Sequence, residues 1–209
     1  MLRVGVRLQP ATGRIGDYLA DVIALEAAGA DSVWLDATAA ASAEPWVLLG
    51  AVAAVTHRMT LGLTVGVAAG WRGAVDALLR LTSGRVVVGL RPNRQVKALV
   101  DELKRSSRHS ILLICAGRSE AEQVALLADG VILPGTQDEV LALRSKEGAF
   151  EIWVEVSVPV DKAAWVKMMA ATESAEATGI IVPWDPRLID LLRSAGEPDD
   201  RTDLLIATG

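Results

Sequence analysis

The segment AAGADSVWLD, Ala27–Asp36, ends a helical pattern with small residues, makes a turn, and enters a short apolar run. The same succession returns in LLADGVILPG, Leu126–Gly135, and in AEATGIIVPW, Ala175–Trp184. Self-similar units of this kind, in which a helix end leads into a strand, are the building blocks of repeated β/α architectures. The three segments therefore predict a fold assembled from βα units.

Short apolar, β-branched runs recur along the whole chain between longer helical patterns. The predicted strands are Arg3–Leu8, Ser32–Leu35, Thr60–Val65, Arg85–Leu90, Ile111–Cys115, Gly130–Leu133, Glu151–Val158 and Gly179–Val182. Strands that alternate with helices indicate a parallel sheet, and the repeat favours its closure into a compact α/β fold, the (βα)8 TIM barrel. An open doubly wound sheet is the alternative, but the turn Gln9–Gly13 lacks the glycine-rich dinucleotide fingerprint that this alternative needs.

Helical periodicity marks the segments between the strands. In Asp17–Ala28, Asp17 is predicted to cap the first turn and Gly29 to end the helix. Further predicted helices are Trp46–Thr56, Glu120–Ala128, Asp138–Arg144 and Pro186–Ser194. No linker interrupts this pattern, so we expect one barrel domain over residues 1–196 and a C-terminal tail over 197–209.

Composition narrows the function classes. Of 209 residues, 51% are apolar and 22% charged, which allows a sizeable core. The net charge of −5 offers no basic excess for nucleic acid. The single cysteine, Cys115, permits no internal disulfide and is expected to be a small buried residue. The N-terminus lacks a signal-peptide layout and no apolar run is long enough to span a membrane, so we expect a cytoplasmic protein without a membrane partner.

Five stretches of the chain, taken in order, are similar to one known family. They are GADSVWLD (29–36), EPWVLLGAVAAVTHRMTLGLTV (44–65), ALLRLTSGRVVVGL (77–90), ICAGRSEAEQVALLADGVILPG (114–135) and GIIVPWDPRLIDLLRSAG (179–196). Together they resemble the bacterial luciferase-like monooxygenase superfamily from about Leu2 to Gly196. Members of that family are flavin- or deazaflavin-dependent oxidoreductases with a (βα)8 fold.

The resemblance implies a cofactor, either flavin mononucleotide (FMN) or a deazaflavin coenzyme of the F420 type, across the C-terminal ends of the strands, together with a small-molecule substrate. It places the phosphate tail at the turn after the fifth strand. There Gly117, Arg118 and Ser119 would supply backbone donors, a cation and a hydroxyl. Thr64 and Arg91 complete the predicted cofactor contacts. The alternative at this turn is an ordinary βα connection with a solvated arginine.

The chain also departs from the family pattern. Ala37 and Thr38 stand where many members have an acidic residue followed by histidine, and the bulky stretch Arg91–Arg94 replaces a glycine-rich one. Only Pro92–His109 connects the fourth and fifth strands, so the long insertion usual there is missing. These departures favour a second hypothesis, a catalytically degenerate barrel that binds a ligand or a partner. Under either hypothesis a homodimer is conceivable.

Strand parity gives candidate catalytic residues directly. Residues of one parity in the first and seventh strands are polar, and these should point into the barrel, while the apolar set meets the helices. Arg7 and Glu155 then lie near the tops of their strands. Because a buried charge needs a partner, Arg7 is predicted to pair with Glu155 or Asp36, either as a polar floor beneath a ligand or as a structural ion pair.

Other reactive groups are less promising. His57 and His109 precede strands and so belong to the opposite, N-terminal face, and no metal site is expected. A third hypothesis, a lyase or isomerase on the same barrel, lacks a lysine at a strand end to form a Schiff base.

Overall fold

The computed structural model describes residues 1–9, 13–37, 45–66, 71–106, 110–146 and 150–195. Over these residues eight parallel strands follow one another around a closed barrel in the order of the sequence, each connected through a helix. The predicted compact (βα)8 barrel is therefore confirmed. The tail predicted for 197–209 lies outside the described residues.

The strands are β1 Arg3–Arg7, β2 Ser32–Asp36, β3 Thr60–Val65, β4 Val86–Leu90, β5 Ser110–Ile114, β6 Gly130–Pro134, β7 Glu151–Glu155 and β8 Gly179–Pro183. The helices are α1 Ile15–Ala28, α2 Pro45–Val55, α3 Trp71–Leu81, α4 Val96–Ser106, α5 Arg118–Val124, α6 Gln137–Lys146, α7 Lys162–Ser174 and α8 Leu188–Ala195. A 3₁₀ turn, Ala125–Leu127, follows α5.

The three repeated segments share one hydrogen-bond pattern. In each, the residue just before an even-numbered strand makes two hydrogen bonds to one residue of the preceding strand. Its backbone N–H donates to the carbonyl of that partner, and its side-chain oxygen accepts the partner's N–H. The pairs are Asp31 with Val4, Asp129 with Ile111, and Thr178 with Ile152. The carbonyl of each bridging residue then accepts an N–H from the next strand. The repeat thus marks the places where three strands are tied together at their N-terminal ends.

Two tryptophans fill the centre of the barrel. The indoles of Trp34 and Trp153 meet edge to face with 6.4 Å between their centroids, and they pack with aliphatic side chains of β5, β6 and β8. Glycine at 62 makes this possible, because a Cβ there would lie 2.2 Å from the Trp34 ring. Beneath them Arg3 pairs with Glu151 at 2.8 Å. Side chains therefore fill the described interior of the barrel.

A buried carboxylate fastens the N-terminal face of the barrel. Glu26, on α1, accepts the backbone N–H groups of His57, Arg58 and Met59 at 2.7–3.1 Å. Burial alone would raise the pKa of this carboxyl, but the three N–H donors outweigh it and lower the pKa below its ordinary value. Glu26 thereby joins α1 to the connection between α2 and β3.

Several predicted boundaries were wrong. Strand β7 ends at Glu155 rather than Val158, and both of its neighbouring strands end in a proline, Pro134 and Pro183, which has no N–H to donate to a ladder. Helix α1 begins at Ile15, so Asp17 lies in its first turn and is not the cap. Gly29 does end α1, with φ 101°.

The later helices also differ from their predicted limits. Helix α5 begins at Arg118, two residues before the predicted start, and ends at Val124, where the chain tightens into the 3₁₀ turn. Helix α8 begins at Leu188 rather than at Pro186. Within the described part of the chain, no helix combines the length and apolar character needed to cross a membrane.

Candidate functional site at the barrel mouth

A layer of polar side chains caps the packed interior at the C-terminal ends of the strands. Alternation along each strand places Asp36 above Trp34, Glu155 above Trp153, and Thr64 above Gly62. Arg7 occupies the matching position on β1, and Thr64 is almost fully buried. Since active sites of this fold lie at this end, these four residues form the candidate site, here called the mouth.

Arg7 and Glu155 form an ion pair across the mouth. The Nη2 group of Arg7 donates to Oε1 of Glu155, as the parity argument predicted. Both side chains are a little under one-third exposed, so the pair is desolvated on one side and open to a ligand on the other. It lines a cavity of about 320 Å³ together with Pro134, Val156, Ser157, Ile181 and Pro183. The contact is confirmed, whereas a catalytic role for either residue stays a prediction.

Asp36 is held on the other side of the mouth. Its Oδ2 atom lies 3.9 Å from Nη2 of Arg91, whose side chain is 60% exposed. At that distance and exposure the attraction is weak, so the Arg91 guanidinium can reorient at little cost. Arg91 therefore provides an adjustable positive charge near Asp36.

The turn after β5 carries two carboxylate contacts close to the predicted phosphate position. Gly117 stands before α5 in extended conformation, and Ser119 is exposed. The N–H of Ala116 donates to Glu120 at 2.6 Å, and Nε of Arg118 donates to Glu122 at 2.6 Å. The predicted cation is thus engaged by a carboxylate of α5, whereas the bound N–H belongs to Ala116, one residue before the predicted backbone donors.

Cys115 follows β5 and is buried, as expected. Burial, with a smaller contribution from the negative charge of Glu120, raises the pKa of its thiol to about 12. A thiol with this pKa is not a nucleophile at neutral pH.

The other sequence-predicted positions lie elsewhere. The N–H of His57 binds Glu26 at the N-terminal face, away from the mouth. Ala37 donates its N–H to the carbonyl of Thr64, while Thr38 and His109 lie outside the described residues. Among the residues that the structure describes, no group of three acidic, histidine or cysteine side chains could hold a metal ion.

A second cavity was not predicted from the sequence. It measures about 360 Å³ and lies between β7 and the helices α6 and α7, with Val154, Val156 and Met168 among its lining. At its rim Glu139 accepts the N–H of Thr136 at 2.9 Å. The spacing Thr-x-x-Glu before a helix is half of the capping-box signature, so this contact was readable from the sequence.

Comparison with known proteins bears on the fold. No known protein family matches the sequence, and no curated protein is significantly similar to it. Solved structures do match. An F420-dependent secondary alcohol dehydrogenase, in complex with an F420-acetone adduct, aligns with a TM-score of 0.70 and 13% identity over 92% of this chain and 97% of that chain.

Two further structures show the range of proteins that share the barrel. The coenzyme F420 dependent tetrahydromethanopterin reductase from Methanopyrus kandleri has a TM-score of 0.71 and 10% identity, over 94% of this chain and 97% of that one. A protein described as QR15, an aldolase, has a TM-score of 0.60 and 12% identity, over 87% of this chain and 89% of its own. At such identities the likeness establishes the (βα)8 fold and not the activity.

Fitting a flavin-type cofactor to these residues gives a divided result. The polar layer and the cavity of about 320 Å³ beside Arg7 and Glu155 suit a flat ring that is bound by a few fixed polar groups. The turn Ala116–Ser119 suits a phosphate poorly, because Glu122 binds the arginine and Glu120 brings a second negative charge to the N–H of Ala116. The residues fit the ring but not the phosphate contact that the family resemblance implies.

Proposed function

We propose that this chain is a luciferase-like oxidoreductase that binds the ring of a flavin-type coenzyme, a deazaflavin of the F420 type in preference to FMN, at the barrel mouth. The observation that carries the proposal is the Arg7–Glu155 pair beside Thr64 and Asp36, on top of an interior closed by tryptophans. The sequence resemblance and the F420-dependent structures with the same fold support the choice of coenzyme.

The protein's own groups would bind and orient the reactants. The paired charges of Arg7 and Glu155 form a floor whose dipole is fixed before any ligand arrives, which reduces reorganisation on binding. Thr64 adds a hydroxyl on the same layer, and Asp36 adds a carboxylate that could accept a proton from a substrate hydroxyl. The coenzyme would supply hydride transfer, which no side chain here can perform.

A catalytically degenerate ligand-binding barrel is the second candidate function. It is favoured by the turn after β5, where Glu122 engages Arg118 and Glu120 adds a second carboxylate beside the predicted phosphate contacts. In that case the mouth would bind a small polar molecule without redox chemistry. The two functions differ in whether a redox-active ring binds at all.

Titration of the purified protein with the F420-type deazaflavin and with FMN, followed by tryptophan quenching and coenzyme absorbance, tests the proposal. We expect micromolar binding of the deazaflavin, weakened roughly tenfold in an Arg7→Gln variant, because one charge-assisted contact is lost. Arg80→Gln, which changes an exposed arginine at the end of α3, is the matched control. Absence of binding of either compound at high micromolar concentration would reject the oxidoreductase and leave the degenerate barrel.

A further inference from the structure

Each of the four connections after β5 to β8 contains a backbone N–H that is bound by the protein's own carboxylate. The contacts are Ala116 N–H to Glu120 at 2.6 Å, Thr136 N–H to Glu139 at 2.9 Å, Ala164 N–H to Asp161 at 2.8 Å, and Arg187 N–H to Asp185 at 2.9 Å. The Ala164 N–H belongs to the first turn of α7, and the other three precede their helices. Barrels of this fold frequently build a phosphate site from the connections after strands seven and eight. Here such contacts occur in four consecutive units.

Charge at these turns opposes an anion as well. The stretches 116–122, 135–139, 156–162 and 184–187 together hold six carboxylates and three cations. Two of the cations are paired locally, Arg118 with Glu122 and Arg187 with Asp185. The guanidinium and the N–H of Arg187 lower the pKa of the Asp185 carboxyl, so this carboxyl remains ionised at neutral pH.

The turn after β4 has the opposite character. Residues 91–95 contain two arginines and no acid, and the N–H of Gln95 is bound by the neutral side chain of Asn93 at 2.8 Å. The Nη2 atom of Arg91 lies 3.9 Å from Oδ2 of Asp36, and the Arg91 side chain is 60% exposed. Among these described connections, the one after β4 is thus cationic, those after β5 and β6 are anionic, and those after β7 and β8 are balanced.

We infer that the connections after β5 and β6 reject phosphate, so that any phosphate of the ring-bearing ligand lies outside them. Glu120 and Glu139 are the specificity-determining residues, because each holds a carboxylate against a backbone N–H of its connection, where the negative charge repels a phosphate. The inference rests on the proposed function for the ring. It adds that a phosphate-free ring compound binds better than its phosphorylated form.

Riboflavin and FMN form the matched pair of probes, since they share the ring and ribityl chain and differ in the phosphate. We expect FMN to bind about fivefold more weakly than riboflavin, the factor that one unit-charge repulsion at about 4 Å in water gives. The double variant Glu120→Gln with Glu139→Gln should remove this difference, because an amide oxygen keeps the hydrogen bond without the charge. Glu173→Gln, on an exposed residue of α7 at the other face, is the control and should leave the ratio unchanged. FMN binding as tightly as riboflavin to the unmodified protein would overturn the inference.

Inorganic phosphate provides a test that does not depend on ring binding. In an amide-resolved NMR titration of the unmodified protein, we expect no saturable shift of the Ala116 and Thr136 N–H signals up to millimolar phosphate. The double variant should show such shifts. Saturable shifts in the unmodified protein would overturn the inference even if neither flavin binds. If neither flavin binds and the Ala116 and Thr136 N–H signals do not shift, only the proposed function is rejected.

Discussion

The Glu26 carboxylate is the single side chain whose change should most clearly alter stability. Its Oε1 atom accepts three consecutive N–H groups, from His57, Arg58 and Met59, and only Met59 of these is a buried residue. Glu26→Ala removes all three contacts and leaves the Met59 N–H without its partner. An unsatisfied buried donor costs about 1–3 kcal/mol, and each exposed one adds about 1 kcal/mol, so we expect a loss of about 3–5 kcal/mol in the free energy of unfolding.

Glu26→Gln separates charge from geometry. The amide oxygen can occupy the position of Oε1 and keep the three contacts, but hydrogen bonds to a neutral acceptor are about half as strong as those to an ionised one. We therefore expect a smaller loss at pH 7, about 1–1.5 kcal/mol.

The pH dependence has a definite sign. Because folding lowers the pKa of Glu26 from its ordinary 4.5, ionised Glu26 favours the folded state. This contribution is fully present above the unfolded pKa and is lost as pH falls through the lower folded pKa. The stability advantage of the unmodified protein over Glu26→Gln should therefore shrink below pH 4.5.

Urea unfolding followed by circular dichroism, at a series of pH values from neutral to acid, measures this difference. The unmodified protein and the variant share all other carboxylates, so the contributions of those groups to the pH dependence cancel in the comparison. Glu173→Gln, at an exposed position, serves as the control. A gap between the unmodified protein and Glu26→Gln that stays constant down to the acid limit would refute the reasoning, as would a Glu26→Ala variant as stable as the control.

Three further predictions concern the barrel itself. Gly62→Ala should lower the free energy of unfolding by at least about 3 kcal/mol or prevent folding, because its Cβ would overlap the Trp34 ring. Gly50→Ala, in open space on α2, should instead raise the free energy of unfolding by about 0.5–1 kcal/mol, and thermal unfolding of both variants tests this. Asp129→Ala should lower the free energy of unfolding by about 1–3 kcal/mol through loss of its contact to β5, and an Asp129→Asn variant that keeps an acceptor should recover part of it. The Cys115 thiol, with a pKa of about 12, should react with a disulfide reagent at pH 8 only after denaturation; rapid reaction of the folded protein would contradict its burial.

The sequence alone predicted the architecture because its signals are local. Small residues at helix ends and apolar runs located all eight strands, and the parity of Arg7 and Glu155 predicted their contact. The repeated segments marked the fold for a physical reason that only the structure reveals. Asp31, Asp129 and Thr178 recur because each ties two neighbouring strands with side chain and backbone together.

Features that depend on neighbouring elements were missed. The end of β7 lies between two strands that end in proline, and no property of β7 itself indicates it. Phosphate binding by Gly117, Arg118 and Ser119 stays a prediction, but the contacts of Glu120 and Glu122 with this turn were not predicted. A helix-start pattern shows where N–H groups are available, but not which side chain takes them.

The short connection between β4 and β5 still completes the ring of helices. Helix α4 occupies that connection, and Val96, Val100 and Leu103 are buried in the layer between strands and helices. The helix ring is thus present without the long insertion, and the interior is closed by Trp34 and Trp153 independently of it. At this end of the barrel Arg91 is exposed beside Asp36, and the cavity lined by Arg7 and Glu155 offers space for a ligand. Changes of function in this chain are therefore to be sought in the charges around the mouth, because the barrel beneath it is complete.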